Sequence, residues 1–312
     1  MKKCSAFFIA LMGMLAASCS NDESLDSSIN FSGEQALTPV TVSVSGFAVS
    51  QEEFPGGTTR SGGSRGPTRA AQDAAEYSGV KSLTLAFYRG ATETYKVTQT
   101  KDALDEGETF GEFSLSLPMG SYTMVVIGHG LNDGEPAITL TSPTLATFGD
   151  KPARETFITT QEVNITTPNA VDVSATLSRV VSKLQVQSSD TRTNPAYSVR
   201  MTFAAGGKSF SPKTGLATVN TGFSNAVDIS TAVGATSLSN SYLFLSADEQ
   251  TMDVTIETLD EDGNVVFSKL VEDVPFRRNR VTKLTGAMYT NSSVSGVFQV
   301  ETAWLDDYNG TF

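Results

Sequence analysis

The stretch GEFSLSLPMGSYTMVVIGHG, residues 111–130, decides the class of fold. Apolar residues occupy alternate positions on both sides of a Pro-Met-Gly sequence, namely Phe113, Leu115 and Leu117 before it and Tyr122, Met124 and Val126 after it. An alternation of period two is typical of β-strands that bury one face, because successive side chains point to opposite sides of a strand. Pro and Gly favour a turn between the two runs. The stretch therefore predicts a β-hairpin.

The same alternation appears elsewhere along the chain. The predicted strand 39–49 carries five alternating apolar residues whose phase slips at Gly46: Val40, Val42 and Val44 before it, and Phe47 and Val49 after it. A slip of one position predicts a β-bulge. Residues 80–88 predict another strand, and residues 252–271 predict a second hairpin around an Asp-Gly turn.

Helix signals are poor throughout, so the chain is predicted to be all-β. Each half holds roughly six to eight short alternating segments, which is the number expected for a β-sandwich. We therefore predict two β-sandwich domains, 38–178 and 179–312. Residues 130–155 are rich in Pro and Gly and predict a loop with at most one short strand.

Composition narrows the class of function. With 39% hydrophobic and 18% charged residues, the chain of 312 residues is predicted to be globular. Its formal net charge is −12, which argues against nucleic-acid binding by bulk attraction.

The N-terminal sequence MKKCSAFFIALMGMLAASC predicts export. A basic start precedes an apolar stretch too short to span a bilayer permanently, so residues 1–18 are interpreted as a signal peptide. The sequence before Cys19 is similar to a bacterial lipobox, which predicts lipidation of Cys19 and a tether at 19–37. The alternative is an ordinary signal peptide that contains a cysteine. Cys4 is lost with the signal in either case, so no disulfide is predicted.

No catalytic or metal site is predicted. The one histidine, His129, follows a strong strand and is interpreted as a strand-end residue. Asp260, Asp262 and Asn264 are interpreted as a hairpin turn, because they lack the frame of an EF-hand loop. The basic cluster of Arg277, Arg278, Arg280 and Lys283 is expected to pair with local carboxylates or to solvate a turn, and the alternative is that it binds phosphates or sulfated glycans. Trp304, the one tryptophan, is interpreted as a core anchor.

Three segments resemble the fimbrillins of the Bacteroidales, which build type V pili. They are LPMGSYTMVVIGHG (117–130), LSRVVSKLQV (177–186) and DVPFRRNRVTKLTGAMYT (273–290). The resemblance implies two transthyretin-like β-sandwich domains and export as a lipoprotein. For polymerising members it also implies that an arginine-specific protease removes the first strand, whose groove a strand of the next subunit then fills.

The Gly- and Pro-rich stretch EFPGGTTRSGGSRGPTRAAQ, residues 53–72, follows the first predicted strand. Exposed stretches of this composition are preferred sites of proteolysis. Arg60, Arg65 and Arg69 are therefore candidate cleavage sites, and a passive linker is the alternative.

Cleavage there would separate strand 39–49 from the rest of the chain. At about 1.5–3 kcal/mol for each buried apolar side chain, losing its five apolar residues would cost at most about 7–15 kcal/mol. A donor strand with the same alternation would recover that sum. The candidate donor residues share one parity near the C-terminus, namely Val294, Phe298, Val300 and Trp304. Alternatively, this segment is the last strand of its own domain.

These inferences predict a non-catalytic fimbrial subunit, exposed on the cell outer membrane and supporting adhesion. Its predicted partners are other fimbrial subunits by strand exchange, the outer membrane through a lipid such as palmitate on Cys19, and an arginine-specific protease. No cofactor, metal or nucleic acid is predicted. The alternatives are a non-polymerising anchor or tip fimbrillin, a glycan-binding surface lipoprotein, and an enzyme on a β-sandwich scaffold.

Overall fold

A computed structural model describes residues 36–48, 73–192, 195–230, 232–290 and 299–301. The described residues form strands joined by turns, with one 3-10 turn at Lys101–Ala103, and the all-β prediction is confirmed. No helix in these ranges is long and apolar enough to span a bilayer. The strands of the first half are β1 (Leu37–Ala48), β2 (Ser82–Arg89), β3 (Thr92–Thr100), β4 (Glu112–Pro118), β5 (Gly120–His129), β6 (Thr139–Ser142), β7 (Leu145–Thr147), β8 (Thr156–Ile165) and β9 (Val171–Arg179).

The second half contributes the remaining strands. They are β10 (Ser182–Ser188), β11 (Ser198–Phe203), β12 (Ser209–Phe210), β13 (Phe223–Asp228), β14 (Leu238–Leu243), β15 (Glu249–Leu259), β16 (Val265–Arg277), β17 (Val281–Gly286) and β18 (Gln299–Glu301). Contacts join Ala36–Phe312 into one compact unit. The predicted domain boundary near residue 178 stays a prediction.

Seven strands of the first half form one sheet in the order β3-β2-β5-β8-β9-β1-β4. The ladder between β8 and β9 is very short, since only Phe157 and Ile158 pair with Ser178 and Arg179. The sheet folds over at this corner, so its two parts face each other as the layers of a sandwich. The enclosed core contains Leu83, Leu85, Phe87, Tyr122, Met124, Val126 and Phe157 from one layer and Val40, Val42, Val44, Phe47, Phe113, Leu117, Ala175 and Leu177 from the other.

The predicted hairpin at 111–130 is wrong, although both of its strands exist. β5 pairs with β2 and β8, whereas β4 pairs with β1 in the opposite layer. The chain therefore crosses from one layer to the other at Met119. Both runs still bury their apolar side chains in the same core. Alternation indicates that one face of a strand is buried, but it does not indicate which strand lies alongside. Two alternating runs separated by a Pro-Met-Gly sequence therefore suggested a hairpin.

The crossing between β4 and β5 is held by Arg89. Its Nη2 donates to the Met119 carbonyl at 2.7 Å and to the Tyr122 hydroxyl at 2.6 Å. The Tyr122 hydroxyl in turn donates to the Pro118 carbonyl at 2.6 Å. A Cβ at Gly120 would lie 2.7 Å from Arg89 Nη2, so a side chain there would disrupt this arrangement.

The second half is a sandwich of two four-stranded sheets, ordered β14-β10-β17-β18 and β13-β11-β15-β16. Its core includes Leu184, Val186, Met201, Phe203, Val254, Ile256, Phe276 and Leu284. The hairpin predicted at 252–271 is confirmed, because β15 and β16 pair antiparallel. Its turn is closed by Asp260, whose carboxylate accepts from the Asn264 backbone N–H at 2.8 Å.

A small third sheet, β12-β7-β6, covers the outer face of β2 and β5. Residues 130–155, predicted as a loop with at most one strand, contribute two of its three strands. The cluster beneath it contains Ala86, Tyr88, Val125, Ile127, Ile138, Leu140, Ala146, Phe210 and Phe244. Both faces of these strands are therefore covered, which explains why Ser82–Tyr88 of β2 and Met124–His129 of β5 are buried at every position.

Candidate functional site: the groove of strand β1

Strand β1 lies between two partners in the folded sheet. Leu37–Ser43 pairs antiparallel with β4, and Val40–Ala48 pairs parallel with β9. Among the described strands β1 is the one partner of β4. Without β1, the facing backbone edges of β4 and β9 would both be unpaired, and a groove the length of the strand would open between them.

The inward face of β1 is buried as the alternation predicted. Val40, Val42, Val44 and Phe47 are each at most 5% exposed. The register against β9 shifts between Val44 and Gly46, where the sequence predicted a bulge, and this shift turns Phe47 into the core. Four such side chains correspond to at most about 6–12 kcal/mol of hydrophobic stabilisation.

An aromatic cluster holds the end of β1. The ring of Phe47 lies 4.9 Å from that of Phe157 and 5.4 Å from that of Tyr77, and the Tyr77 and Phe157 rings are 5.5 Å apart. Such tilted and edge-on pairs stabilise beyond their buried area. Phe47 belongs to β1, whereas Tyr77 and Phe157 belong to the remaining chain, so this cluster would lose one of its three rings if β1 left.

Tyr77 also takes part in a buried polar network, which we call the Tyr77 anchor and define as Tyr77, Glu155 and Arg179. The Tyr77 hydroxyl donates to Glu155 Oε1 at 2.8 Å. Arg179 Nη2 donates to the Tyr77 oxygen at 3.0 Å and lies 2.6 Å from Glu155 Oε1. Burial, together with the charge of Glu155, raises the pKa of Tyr77 well above its ordinary value. The phenol therefore stays protonated and keeps its donor.

The Tyr77 anchor fixes the chain immediately downstream of residues 49–72. A turn precedes Tyr77, in which the Asp73 carbonyl accepts from the Tyr77 N–H at 3.0 Å and the Asp73 carboxylate accepts from the Ala75 N–H at 2.7 Å. Phe47 and Tyr77 thus hold the two ends of the chain that flank this segment. A cut within it would leave both ends bound.

The Tyr77 anchor could not be predicted from the sequence, because its members are far apart in the chain. One signal was present in β9, where Arg179 shares the parity of the buried residues Ala175 and Leu177. An arginine on the buried face of a strand requires a buried partner. The identity of that partner could not be read from spacing.

Most of the other predicted site residues lie outside the described residues. These are the lipidation site Cys19, the candidate cleavage sites Arg60, Arg65 and Arg69, and Val49, Val294, Phe298 and Trp304. Val300 lies in β18, which pairs antiparallel with Lys283–Thr285 of β17 in the same chain. The donor role of this segment stays a prediction.

His129 is a buried strand-end residue, as interpreted. Its Nε2 accepts from the Ile138 N–H at 3.1 Å, so Nδ1 carries the proton and donates to the Gly130 carbonyl at 2.6 Å. Burial lowers the pKa of His129 and keeps the ring neutral. Within the part of the chain that the structure describes, no group of three His, Cys, Asp or Glu residues could hold a metal ion.

Two members of the basic cluster of the second half, Arg277 and Arg278, pair with nearby carboxylates, as expected. Arg278 Nη2 lies 2.6 Å from Asp248 Oδ1, and Arg277 forms an ion pair with Glu249. Arg278 Nη1 also donates a hydrogen bond to the Thr214 carbonyl at 2.8 Å. These contacts fix the positions of Arg277 and Arg278.

Comparison with known proteins gives a family and a fold. A family of unknown function (DUF6562) matches residues 54–311. No curated protein sequence matches the chain significantly. Among solved structures, a candidate adhesin from Bacteroides ovatus has a TM-score of 0.50 at 12% identity, over 87% of this chain and 97% of that chain.

Two further structures are similar at lower TM-scores. The fimbrial anchor protein Mfa2 from Porphyromonas gingivalis has 14% identity and a TM-score of 0.47, over 86% of this chain and 99% of that chain. A fimbrial assembly protein from Parabacteroides distasonis has 13% identity and a TM-score of 0.41, over 85% and 96%. The sheet order of this chain and its similarity to the Bacteroides ovatus structure at a TM-score of 0.50 confirm the β-sandwich fold that the resemblance to fimbrillins implied.

Proposed function

The chain belongs to the DUF6562 family, whose function is unknown, and we propose that it is a non-catalytic fimbrial subunit that serves adhesion at the cell surface. The placement of β1 carries the proposal. This strand fills a groove between β4 and β9, and it is joined to the rest of the chain through the Arg-containing residues 49–72.

Assembly proceeds by strand complementation. An arginine-specific protease cuts after Arg60, Arg65 or Arg69, which allows a donor strand to displace β1 from its groove. The vacant groove offers two unpaired backbone edges and sites for four apolar side chains. A strand of a neighbouring subunit with matching alternation pairs with both edges and recovers the lost burial. The C-terminal segment around Val300 is the candidate donor.

The energetics favour exchange over simple release. Losing β1 costs the burial of four side chains, up to about 12 kcal/mol, as well as its backbone hydrogen bonds. Cleavage therefore leaves β1 bound until a donor strand competes for the groove. The groove therefore stays filled until a neighbour is present, so its backbone edges are not available for non-specific pairing.

The proposal also includes adhesion as the outcome of assembly and the outer membrane as the location of the exported chain. The candidate adhesin from Bacteroides ovatus shares the fold over nearly its whole length, which supports adhesion as the outcome. Lipidation of Cys19 holds the exported chain at the outer membrane before assembly. A subunit that keeps β1 and its lipid would serve as an anchor or tip instead.

The test uses the chain from residue 20 onward, which carries neither cysteine and no lipid. Treatment with an arginine-specific protease should give a single cut after Arg60, Arg65 or Arg69 by intact mass, followed by a ladder of detergent-resistant polymers on an unheated gel. The matched control replaces Arg60, Arg65 and Arg69 with Lys, and should give neither cut nor ladder. A clean cut without any ladder contradicts polymerisation and favours the anchor or tip role.

A further inference from the structure

The exposed apolar side chains of the protein gather at two places. Within the ranges that the structure describes, nine large hydrophobic side chains are more than a third exposed. Two of them lie at one end of the first sandwich and four at one end of the second, namely Leu37 and Met119, and Tyr197, Val233, Leu238 and Val265. Single exposed apolar residues are ordinary on a protein surface, whereas grouped ones often mark a contact with another molecule.

The first group belongs to a surface that we call the Met119 end. It is formed by the start of β1, the β2–β3 turn, the β4–β5 crossing and the β8–β9 turn, that is, by residues 36–39, 89–92, 118–121 and 165–170. Strand pairing holds these segments together, because Leu37 lies opposite Pro118 and Gly120 lies opposite Ile165. Within these four segments Arg89 is the one charged residue, so the Met119 end has no carboxylate of its own.

The second group belongs to a surface that we call the Thr290 end. Its residues are 189–192, 195–197, 229–230, 232–238, 260–265 and 287–290. Backbone hydrogen bonds join its loops, from the Gly234 N–H to the Arg192 carbonyl at 2.9 Å and from the Ile229 N–H to the Tyr197 carbonyl at 3.0 Å. In these segments four carboxylates and one arginine give a net charge of −3. The Thr290 end therefore combines exposed apolar side chains with negative charge.

Asp190 fixes the place where the chain leaves the Thr290 end. Its Oδ1 accepts from the Met288 N–H at 2.8 Å, and its Oδ2 accepts from the N–H groups of Tyr289 and Thr290, each at 3.0 Å. The Thr290 hydroxyl donates to the same Oδ2 at 3.1 Å. Thr290 is therefore held to the body of its own subunit at the point from which the C-terminal segment continues.

The sequence leaves little length between Thr290 and the candidate donor strand. Val294, the first candidate donor residue, lies four positions after Thr290. Four residues span at most about 14 Å, because an extended chain advances no more than about 3.6 Å per residue. Once β18 has left β17, a donor strand that enters a neighbour's groove brings its own Thr290 end within that distance of the groove.

The direction of β1 indicates which end of the groove the donor enters. A donor that runs as β1 does keeps the antiparallel pairing with β4 and the parallel pairing with β9, and it enters beside Leu37 at the Met119 end. The opposite direction would bring the neighbour to the Ala48 end of the groove. None of the nine exposed hydrophobic side chains lies in residues 73–81 or 101–111, which flank that end. The Met119 end therefore offers the better apolar contact.

We propose that, in a polymer, the Thr290 end of each subunit packs against the Met119 end of the next, so that a second copy of this chain is the partner of both surfaces. The proposal rests on strand complementation as the proposed function and adds to it a contact between the folded bodies. Apolar side chains meet from both sides, and Arg89 faces a surface with a net charge of −3. Leu37 leaves with β1, and the entering donor strand takes its position beside Met119. Because the two surfaces differ, the contact is head-to-tail and continues along a filament.

Cross-linking between subunits tests this contact. In the chain from residue 20 onward, the variant Met119→Cys/Val233→Cys contains no other cysteine. After cleavage by the arginine-specific protease and assembly, a bis-maleimide with a flexible spacer should convert its polymers into a covalent ladder on a heated, denaturing gel. The matched control is Met119→Cys/Leu270→Cys, whose second thiol lies on β16 away from both ends, and it should give no covalent ladder.

The variant Met119→Asp tests the same contact by charge. It places a carboxylate against the acidic Thr290 end, so polymers should grow at least about 10-fold more slowly than those of the parent, whereas Leu270→Asp should leave the rate unchanged. Thermal unfolding of each variant checks that the fold is retained.

The outcomes separate this contact from strand complementation. If the parent polymerises but Met119→Cys/Val233→Cys gives no covalent ladder, or Met119→Asp grows at the parental rate, the contact is wrong and strand complementation stands. A ladder from Asp105→Cys/Val233→Cys would place the neighbour at the opposite end of the groove and would also overturn the contact. A parent that forms no polymer contradicts the proposed function, and the contact is then wrong with it.

Discussion

At the scale of single residues, two buried polar groups show how the protein satisfies hydrogen bonds within its core. In the Tyr77 anchor, the hydroxyl of Tyr77 contacts both members of the ion pair between Glu155 and Arg179. Each of the three side chains therefore makes polar contacts with the other two. His129 satisfies both ring nitrogens with backbone groups. Leaving any of these groups without a partner would cost about 1–3 kcal/mol.

His129 makes stability depend on pH. The folded state binds a proton at this ring less readily than the unfolded state, because burial lowers the pKa of His129. The hydrogen bond to the Gly130 carbonyl opposes this effect, the charge of Arg154 adds to it, and the charge of Glu135 opposes it more weakly. The contribution of neutral His129 to the free energy of unfolding is therefore fully present above the pKa of about 6.5 that the ring has in the unfolded state. It is lost as the pH falls below that value. We expect the free energy of unfolding to decline between pH 7 and 5.

The variant His129→Gln tests this, since the chain has one histidine and Gln cannot titrate. Urea denaturation at pH 7 and pH 5 should show a smaller difference between the two pH values for the variant than for the parent. The variant is also expected to be less stable at pH 7 by about 1–2 kcal/mol, because one backbone hydrogen bond is lost. An identical pH dependence in both proteins would show that carboxylates alone cause it.

At the scale of elements, β1 is a central strand that is joined to the body through one short segment of sequence. Its pairing with β4 and β9 makes it an integral part of the sheet. Its alternation and its bulge could both be predicted, because a buried face imposes a period of two on any strand. The neighbours of β1 in the sheet could not be predicted, because β4 and β9 lie about 70 and 130 residues downstream. Alternation of apolar residues carries no information about which strands pair.

A disulfide between β1 and β4 should block assembly without blocking cleavage. Thr41 and Ser114 lie directly opposite each other and face away from the core, at a spacing that suits a disulfide. In the chain from residue 20 onward, Thr41→Cys/Ser114→Cys should be cut by the arginine-specific protease as efficiently as the parent. Polymers should appear only after a reductant is added.

Each single cysteine variant is the control and should polymerise with or without reductant. Polymers formed by the oxidised double variant would mean that β1 stays in place during assembly. In that case β1 would not be the displaced strand.

At the scale of the whole molecule, the third sheet joins the two halves of the chain. Phe210 of β12 stacks on Phe244 at 4.2 Å, and both lie in the cluster beneath β6 and β7 that covers β2 and β5. The first sandwich therefore buries one of its outer faces with residues of the second half. This arrangement explains why Ala36–Phe312 forms one compact unit.

We expect Phe210→Ala to destabilise the whole unit. Removal of this fully buried ring should lower the free energy of unfolding by about 3–5 kcal/mol, and one transition should remain in a calorimetric scan. The control Val219→Ala changes a half-exposed residue nearby and should have an effect below about 0.5 kcal/mol. Two separate transitions in Phe210→Ala, with one unshifted, would show that the halves unfold independently.

The sequence by itself determined the strand class, the apolar faces, the bulge at Gly46 and the hairpin at 252–271, because these depend on local periodicity and turn chemistry. The tertiary structure alone decided that β4 and β5 separate into opposite layers, that β1 lies between β4 and β9, and that Tyr77 meets Glu155 and Arg179. The physical reason is that a strand's backbone groups can pair with any other strand of suitable length. Only the packing of the whole core selects which pairing buries every apolar face at once.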